Sequence, residues 1–249
     1  MIDFHTHILP GIDDGAHDIS MTEAMLRAEA EQGVTAVYAT PHFYAQRRSV
    51  QRFLERREGS LAKARELVAS AKGKGENFPE IIAGAEVYYF NGIGRAEHLE
   101  HLCIEGTDIL LLEMPFCQWD SSMYRDVKDI LSRRQLRIVL AHVDRYHGLQ
   151  KDRENWDRIT GLPLTMQLNT ESIIGSGSHG LFGGMHARRN SKWCMQMLED
   201  NENIIIGTDC HNMTDRAPNL AAARSEIESR LGRERLDQLD RYTEELLRR

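Results

Sequence analysis

The chain has 249 residues, with 31 Lys and Arg against 38 Asp and Glu, a formal net charge of −7 and 41% hydrophobic residues. That length and balance fit one soluble α/β domain, 1–249; they disfavour a nucleic-acid partner, and the longest apolar run, Ile109 to Leu112, is far too short for membrane insertion. The four scattered cysteines, Cys103, Cys117, Cys194 and Cys210, form no CxxC and fit a reducing, cytoplasmic setting.

The apolar Met1, Ile2 and Phe4 open a buried strand that closes on His5 and His7. Residues i and i+2 of a strand share a face, so the two imidazoles leave together, a spacing that suits one metal ion. Pro10-Gly11 breaks the strand, and the Asp13-Asp14 turn can return a carboxylate over the two nitrogens. Mixed His and Asp ligation suits Mn, Fe or Zn better than Ca or Mg. Asp18 to Gln32 reads as a helix, with Ser20 and Glu23 as a capping box and Gly33 beyond its end. A second strand, Val34 to Ala39, runs into Thr40-Pro41-His42. Arg48 to Lys72 is a long charged helix whose Arg-rich face reads as a solvated surface. A third strand starts at Ile81 to Ala83, with Glu86 just past it.

Residues 92–105 are ambiguous, and His98 and His101 there read as surface residues. Asp108 to Leu112 is a fourth strand with Glu113 at its end. A helix over Asp120 to Arg134, capped by Asp120 or Ser121, leads to a fifth strand, Leu136 to Ala141, ending in His142. A short helix at Lys151 to Ile159 precedes a sixth strand, Leu164 to Leu168, with Asn169 at its end. Gly175 to Gly184 reads as a mobile loop, Ala187 to Asp200 as a helix and Asn203 to Ile206 as a seventh strand. Gly207-Thr208-Asp209-Cys210-His211 comes next, and two charged helices close the chain.

Strand and helix alternate throughout, the pattern of a parallel α/β sheet or a βα barrel. His5, His7, His42, Glu86, Glu113, His142, Asp209 and His211 all fall just after strands, where such folds place their sites. Scattered structural histidines would not choose one end of every strand, so a polynuclear metal site is expected. Two other signals are weaker. Cys210 to Arg216 has the C-x5-R spacing of cysteine phosphatases, but its interior lacks glycine and Asp209 disfavours a thiolate. Gly175, Gly177 and Gly180 match G-x-G-x-x-G outside a first βα turn, and read as a loop near the site mouth. His17, His98, His101, His147, His179 and His186 are left outside the site.

HTHILPGIDDGA, TPHF at 40–43, GAEVYY around Glu86, LLEMPF around Glu113, AHVDRY at 141–146, MQLN at 166–169 and GTDCHN at 207–212 occur in one order over nearly the whole chain. In these motifs the sequence resembles the PHP (polymerase and histidinol phosphatase) superfamily, and within it the bacterial CpsB/CapC-type protein-tyrosine phosphatases of capsule and exopolysaccharide synthesis. The resemblance implies a distorted TIM-like barrel of about seven βα units and a manganese site of two or three ions, with Fe or Zn as alternatives. The implied ligands are His5, His7, Asp14, His42, Glu86, Glu113, His142, Asp209 and His211. Arg145 and Arg216 are the implied phosphate-binding residues, and His42 joins them in the reaction. Thr6, Val143-Asp144 and Cys210 depart from the usual pattern without removing a ligand. The expected activity is hydrolysis of phosphotyrosine on a protein, with the tyrosine kinase of polysaccharide export as partner and hydroxide between metal ions as the attacking group. A small-molecule phosphoesterase, such as a histidinol-phosphate phosphatase, and a non-catalytic phosphotyrosine-binding regulator are the competing readings.

Overall fold

The computed structural model describes residues 1–175 and 183–248. Along the chain come β1 (Ile2–Thr6), α1 (Ile19–Glu31), β2 (Ala36–Ala39), β3 (His42–Phe43), α2 (Val50–Gly73), β4 (Glu80–Ala83), β5 (Glu86–Tyr88), β6 (Ile109–Glu113), α3 (Ser121–Arg133), β7 (Arg137–Leu140) and α4 (Glu154–Thr160). β8 (Thr165–Asn169), α5 (Thr170–Ile174), α6 (Gly183–Asp200), β9 (Ile204–Gly207), α7 (Leu220–Leu231) and α8 (Arg233–Leu247) complete it. All strand pairs are parallel, in the orders β1-β2-β4 and β3-β5-β6-β7-β8-β9.

The two sheets are parts of one ring. Thr40-Pro41 interrupts β2 and β3, which otherwise form one stave, and Gly84-Ala85 interrupts β4 and β5 in the same way. Gly84 N–H still donates to Ala39 O and Glu86 N–H to Pro41 O, so the pairing continues across both breaks. At the other side, Asp209 N–H donates to His5 O at 2.8 Å and His7 N–H to Cys210 O at 2.9 Å, joining the end of β9 to β1. Seven staves result, as expected for a distorted barrel. Glu86, expected just past a strand, instead begins one of its own.

Side chains alternate between two cores. Phe4, Tyr38, Ile109, Leu111, Val139, Ala141 and Ile205 fill the inside of the ring, while Val37, Leu110, Leu112, Ile138, Leu140, Ile204 and Ile206 face the helices. Phe4 is fully buried and stacks on Tyr38 at 5.0 Å, a burial that contributes about 1.5–3 kcal/mol. The alternation slips once. Between Asp3 and Thr6 the register of β1 on β2 shifts by one residue. A bulge re-aims the residues beyond it: Asp3 lies toward α1, and after the bulge His5 and His7 turn into the ring.

Element ends depart from expectation in several places. Asp18, not Ser20, caps α1, accepting from Met21 N–H, because it alone sits in extended backbone one residue before the first turn. Asp120 caps α3. Residues 92–105 form two short 3-10 turns, Ile93–Arg95 and Leu99–Leu102, and His98 and His101 are exposed as expected. Gly175 ends α5 in a left-handed conformation and α6 starts at Gly183 rather than Ala187. Gly177, Gly180 and His179, with most of the expected 175–184 loop, lie outside the described residues. No described helix is long and apolar enough to cross a membrane.

Candidate metal centre

Each expected ligand stands at the same end of the ring. His5 and His7 come from β1, Glu86 from β5, Glu113 from β6, His142 from the end of β7, and Asp209 and His211 from the segment after β9. Two backbones accept unusual conformations to do this: His142 has φ +32° and Asp209 φ +53°. Left-handed geometry in a non-glycine residue is strain of the kind that functional sites retain. Two glycines let backbone come close. A Cβ on Gly15 would sit 2.1 Å from His7 O, and one on Gly207 2.8 Å from His5 Cβ. Gly15 thus lets the 8–16 turn fold onto His7, where Ala16 N–H donates to His7 O.

The donors fall into three overlapping groups. In the first, His5 Nε2 and His7 Nε2 are 3.2 Å apart, Glu86 Oε2 is 3.3 Å from each, and Asp209 Oδ1 is 3.6 and 3.3 Å from them. Ligands about 2.1 Å from one ion are separated by about 3.0–3.4 Å, so four donors at these spacings suit a single cation. The second brings His42 Nδ1 within 2.8 Å of Glu86 Oε2 and 3.9 Å of Glu113 Oε2. His142 Nε2 lies alongside, 2.7 Å from Glu86 Oε1 and 3.7 Å from Glu113 Oε1. The third joins His7, Asp14, His42 and His211, with Asp14 Oδ1 3.4 Å from His42 Nε2 and 3.7 Å from His211 Nε2.

These groups fit metal ions better than they fit one another. His42 Nδ1, Glu86 Oε2, Glu113 Oε2, His142 Nδ1, Asp209 Oδ1 and His211 Nε2 are buried without a hydrogen-bond partner. Buried polar atoms rarely stay unpaired. Burial and the neighbouring Glu86 push the Glu113 carboxyl up to about 8. Burial opposes ionisation of Glu86 as well, but His5 and His42 outweigh it and hold that carboxyl well below the usual range. Burial and the charge of His7 pull His211 down to about 3, leaving its ring neutral and its Nε2 free to ligate. The His211 Nδ1–H donates to Asp209 O at 2.8 Å, which fixes that tautomer.

A supporting layer was not legible in the ligand pattern. Asp13 Oδ2 lies 2.8 Å from His7 Nδ1 and accepts from His42 N–H. Gln167 Oε1 accepts from His142 N–H at 2.7 Å and faces His5 Nδ1 at 3.2 Å. Its amide donates to Asn169 Oδ1, and Asn169 donates on to Asp209 Oδ2 at 3.0 Å. Gln167 and Asn169 are two apart on β8 and share a face, the one hint the sequence carries. Asp3 accepts from His5 N–H, Thr208 N–H and Thr208 Oγ1, tying the ligand-bearing ends of β1 and β9 together.

The two arginines meet at one carboxylate. Arg216 Nη2 is 2.6 Å and Arg145 Nη1 3.4 Å from Asp209 Oδ2. Arg216 O accepts from His211 N–H and Asn212 N–H, which folds the 211–216 loop back toward the centre. Phe116, half-exposed, lies 5.9 Å from His142 and under the Arg145 guanidinium at 5.3 Å. Cys210 faces away. It is fully buried with its thiol 3.8 Å from Glu29 Oε1, and burial together with Glu29 and Asp3 pushes that thiol well above its ordinary range. It belongs to the helix-facing core, as strand parity suggests, with Asp3 and Glu29 beside it. His17, His98, His101 and His186 are exposed, and His147 stacks on Trp193 at 4.1 Å, so these five stay outside the centre.

Behind the centre, Asp3, Glu29 and Cys210 bring ligand atoms within 4.8 Å of one another. Burial first, and Asp3 second, push Glu29 up to about 10. Between the ordinary carboxyl range and that value the folded chain holds a proton that the unfolded chain releases. Stability therefore falls as pH rises through this window. Glu29→Gln should flatten that slope and raise Tm at pH 8 by about 2–4 °C, about 1 kcal/mol. Parallel melts of both proteins from pH 5 to 9, at fixed metal concentration, check this; an unchanged slope would place the proton elsewhere.

The profile described as "Capsular polysaccharide synthesis, CpsB/CapC" matches residues 1–247. Tyrosine-protein phosphatase CpsB of Streptococcus agalactiae serotype V is 27% identical over 243 residues, covering 96% of this chain and 94% of the relative. Tyrosine-protein phosphatase YwqE of Bacillus subtilis (strain 168) is 26% identical over 258 residues, covering 100% and 92%. A solved structure from work on YwqE of Bacillus subtilis and CpsB of Streptococcus pneumoniae, described as metal-dependent tyrosine phosphatases, superposes with a TM-score of 0.80. It is 22% identical and covers 99% of this chain and 94% of that one. At a TM-score of 0.51 and 10% identity, the lactonase Lmo2620 of Listeria monocytogenes shares the fold, over 96% of this chain and 92% of its own.

Proposed function

The chain belongs to the CpsB/CapC family of capsular polysaccharide synthesis, and from that premise we propose that it is a metal-dependent protein-tyrosine phosphatase. The observation that carries the reading is the meeting of two guanidiniums at Asp209, on the edge of a cluster of candidate metal donors. Cations and arginines facing one small volume suit a dianionic phosphate. His5, His7, Asp14, His42, Glu86, Glu113, His142, Asp209 and His211 would hold two or three ions, with Mn²⁺ favoured by the mixed His and carboxylate set. Bound there, the ions supply Lewis acidity toward water and the phosphoryl oxygens.

The protein's own groups do the rest. Arg145 and Arg216 grip the non-bridging oxygens and hold phosphorus in line, which supports the dispersed charge of a phosphoryl-transfer transition state. Phe116, beside His142, offers an aromatic wall to the tyrosine ring. Gln167, Asn169 and Asp13 keep the ligands oriented as charge moves. Cys210 takes no part. The substrate that suits these groups is a phosphotyrosyl protein, with a tyrosine kinase that governs polysaccharide export as the natural partner. The free cysteines agree with a reducing, cytoplasmic setting.

Turnover of a phosphotyrosine peptide should be abolished by exhaustive chelation and restored by Mn²⁺ more fully than by Zn²⁺ or Mg²⁺. Histidinol phosphate, assayed in parallel, should turn over at least about a hundredfold more slowly, a difference of about 2.7 kcal/mol in transition-state binding. Full activity after metal removal would overturn the metal reading. Preferred turnover of histidinol phosphate would move the protein to the small-molecule class, and peptide binding without turnover would make it a regulator.

A further inference from the structure

A cavity of about 410 Å³ adjoins the centre, lined by Ile12, Asp13, Asp14, His42, Tyr44, Arg47 and Arg48. Its two arginines are not paired with its two aspartates. Arg57, farther along α2, pairs with Glu58. Arg47, Arg48 and Arg56 make no ion pair among the described residues. Arg47 lies over the Tyr44 ring at 4.6 Å, and Arg56 donates to Gly11 O and Ile12 O. The carboxylates nearest the cavity are already engaged, Asp13 by His7 and Asp14 by His42 and His211. The N-terminus of the 24-residue α2 opens beside these arginines, and its first turn contains no acidic residue. A helix N-terminus carries positive character of the same sign. Burial, then Arg56 and Arg47, hold the Arg48 guanidinium below its ordinary value, as expected for cations crowded together.

Such a cluster in a chain of net charge −7 calls for an anion from outside. We propose that Arg47 and Arg48, with Tyr44, form a subsite for an acidic group next to the phosphotyrosine, so that the enzyme selects phosphopeptides with a flanking carboxylate or second phosphate. The inference rests on the phosphatase reading of the adjoining centre. The geometry gives the reason: the cavity shares His42 and Asp14 with the metal donors, so a peptide whose phosphate reaches the centre lays its neighbouring residues into this cavity. The anion sits at the mouth, where salt screens it.

Three phosphotyrosine peptides test this, with Glu on both flanks, a second phosphotyrosine on one flank or Ala on both flanks, alongside p-nitrophenyl phosphate. The ratio of kcat/KM for the Glu-flanked and doubly phosphorylated peptides to that for p-nitrophenyl phosphate should fall at least about tenfold in R47A/R48A, and by less than twofold for the Ala-flanked peptide. The wild-type preference should also shrink as salt rises from 50 to 500 mM. Binding of the same peptides carrying a non-hydrolysable phosphonate, measured by calorimetry, reads the subsite without turnover. A wild-type enzyme that hydrolyses all three peptides equally overturns the subsite and leaves the phosphatase reading standing. Binding preference without hydrolysis overturns the phosphatase reading and keeps the subsite. Loss of phosphatidylserine-vesicle binding in R47A/R48A, with no change in peptide preference, would assign the cluster to a membrane surface and overturn the proposal.

Discussion

Glu86→Ala should lower kcat for a phosphotyrosine peptide by at least about a thousandfold, about 4 kcal/mol in transition-state stabilisation. Among the described residues no other carboxylate lies against as many imidazoles. Its Oε2 is 3.3 Å from both His5 and His7 and 2.8 Å from His42, and its Oε1 is 2.7 Å from His142. Removing it strips a ligand from two donor groups at once and leaves four imidazoles facing each other around a void. The loss should exceed that of Glu113→Ala, and the double variant should be scarcely worse than Glu86→Ala alone, since shared ligands act as a unit. Bound metal per chain, measured on the same samples, should fall together with kcat. A folded Glu86→Ala with full metal content and near wild-type kcat would remove Glu86 from the centre.

The second large effect separates two chemistries within three residues. Asp209→Ala should cost at least about a thousandfold in kcat, about 4 kcal/mol, whereas Cys210→Ala should stay within about threefold of wild type, under 1 kcal/mol. Asp209 gives Oδ1 to the first donor group and Oδ2 to Arg145, Arg216 and Asn169. It therefore holds both the ions and the arginines. Cys210 points the other way, into a carboxylate pocket that keeps its thiol protonated. Its truncation leaves both flanking ligands in place, though it opens a small void beside Glu29. An inactive but folded, metal-loaded Cys210→Ala would revive the cysteine mechanism. Matched assays of the two variants with Mn²⁺ decide it.

Eight of the nine proposed ligands stand out in the sequence because each follows an apolar run that stops abruptly, whereas Asp14, in the turn after β1, is singled out by the family resemblance. Ring order came from the alternation of strand and helix. The features that escaped depend on register or on distant residues. The bulge in β1 has no local signature, since IDFHT alternates acceptably with or without it, yet it decides that Asp3 and His5 face opposite sides. The Glu86 strand was hidden because two residues, Gly84 and Ala85, separate it from β4; a Cβ on Gly84 would press Ile104 at 2.5 Å, so packing sets that break. Asp18 and Ser20 are both good caps, and only the backbone path between them decides. Asp13 and Gln167 are ordinary polar residues until the chain folds their partners against them.

The join between β1 and β9 has a consequence for the order in which the molecule is made. His5 and His7 are among the first residues of the chain, and Asp209 and His211 lie beyond the last stave. They meet only when the ring closes, across a loop of almost the whole polypeptide. Closing a loop so long is entropically unfavourable, although each further doubling of length adds only about 0.6 kcal/mol. Ions held by both ends would lower the free energy of the closed ring and so act as a clasp on its seam. The β1 half of such a clasp is made before the β9 half, and it could not fasten until the last stave has docked. Metal loading would in this sense be the final folding step, and loss of metal would loosen the molecule first along the seam between β1 and β9.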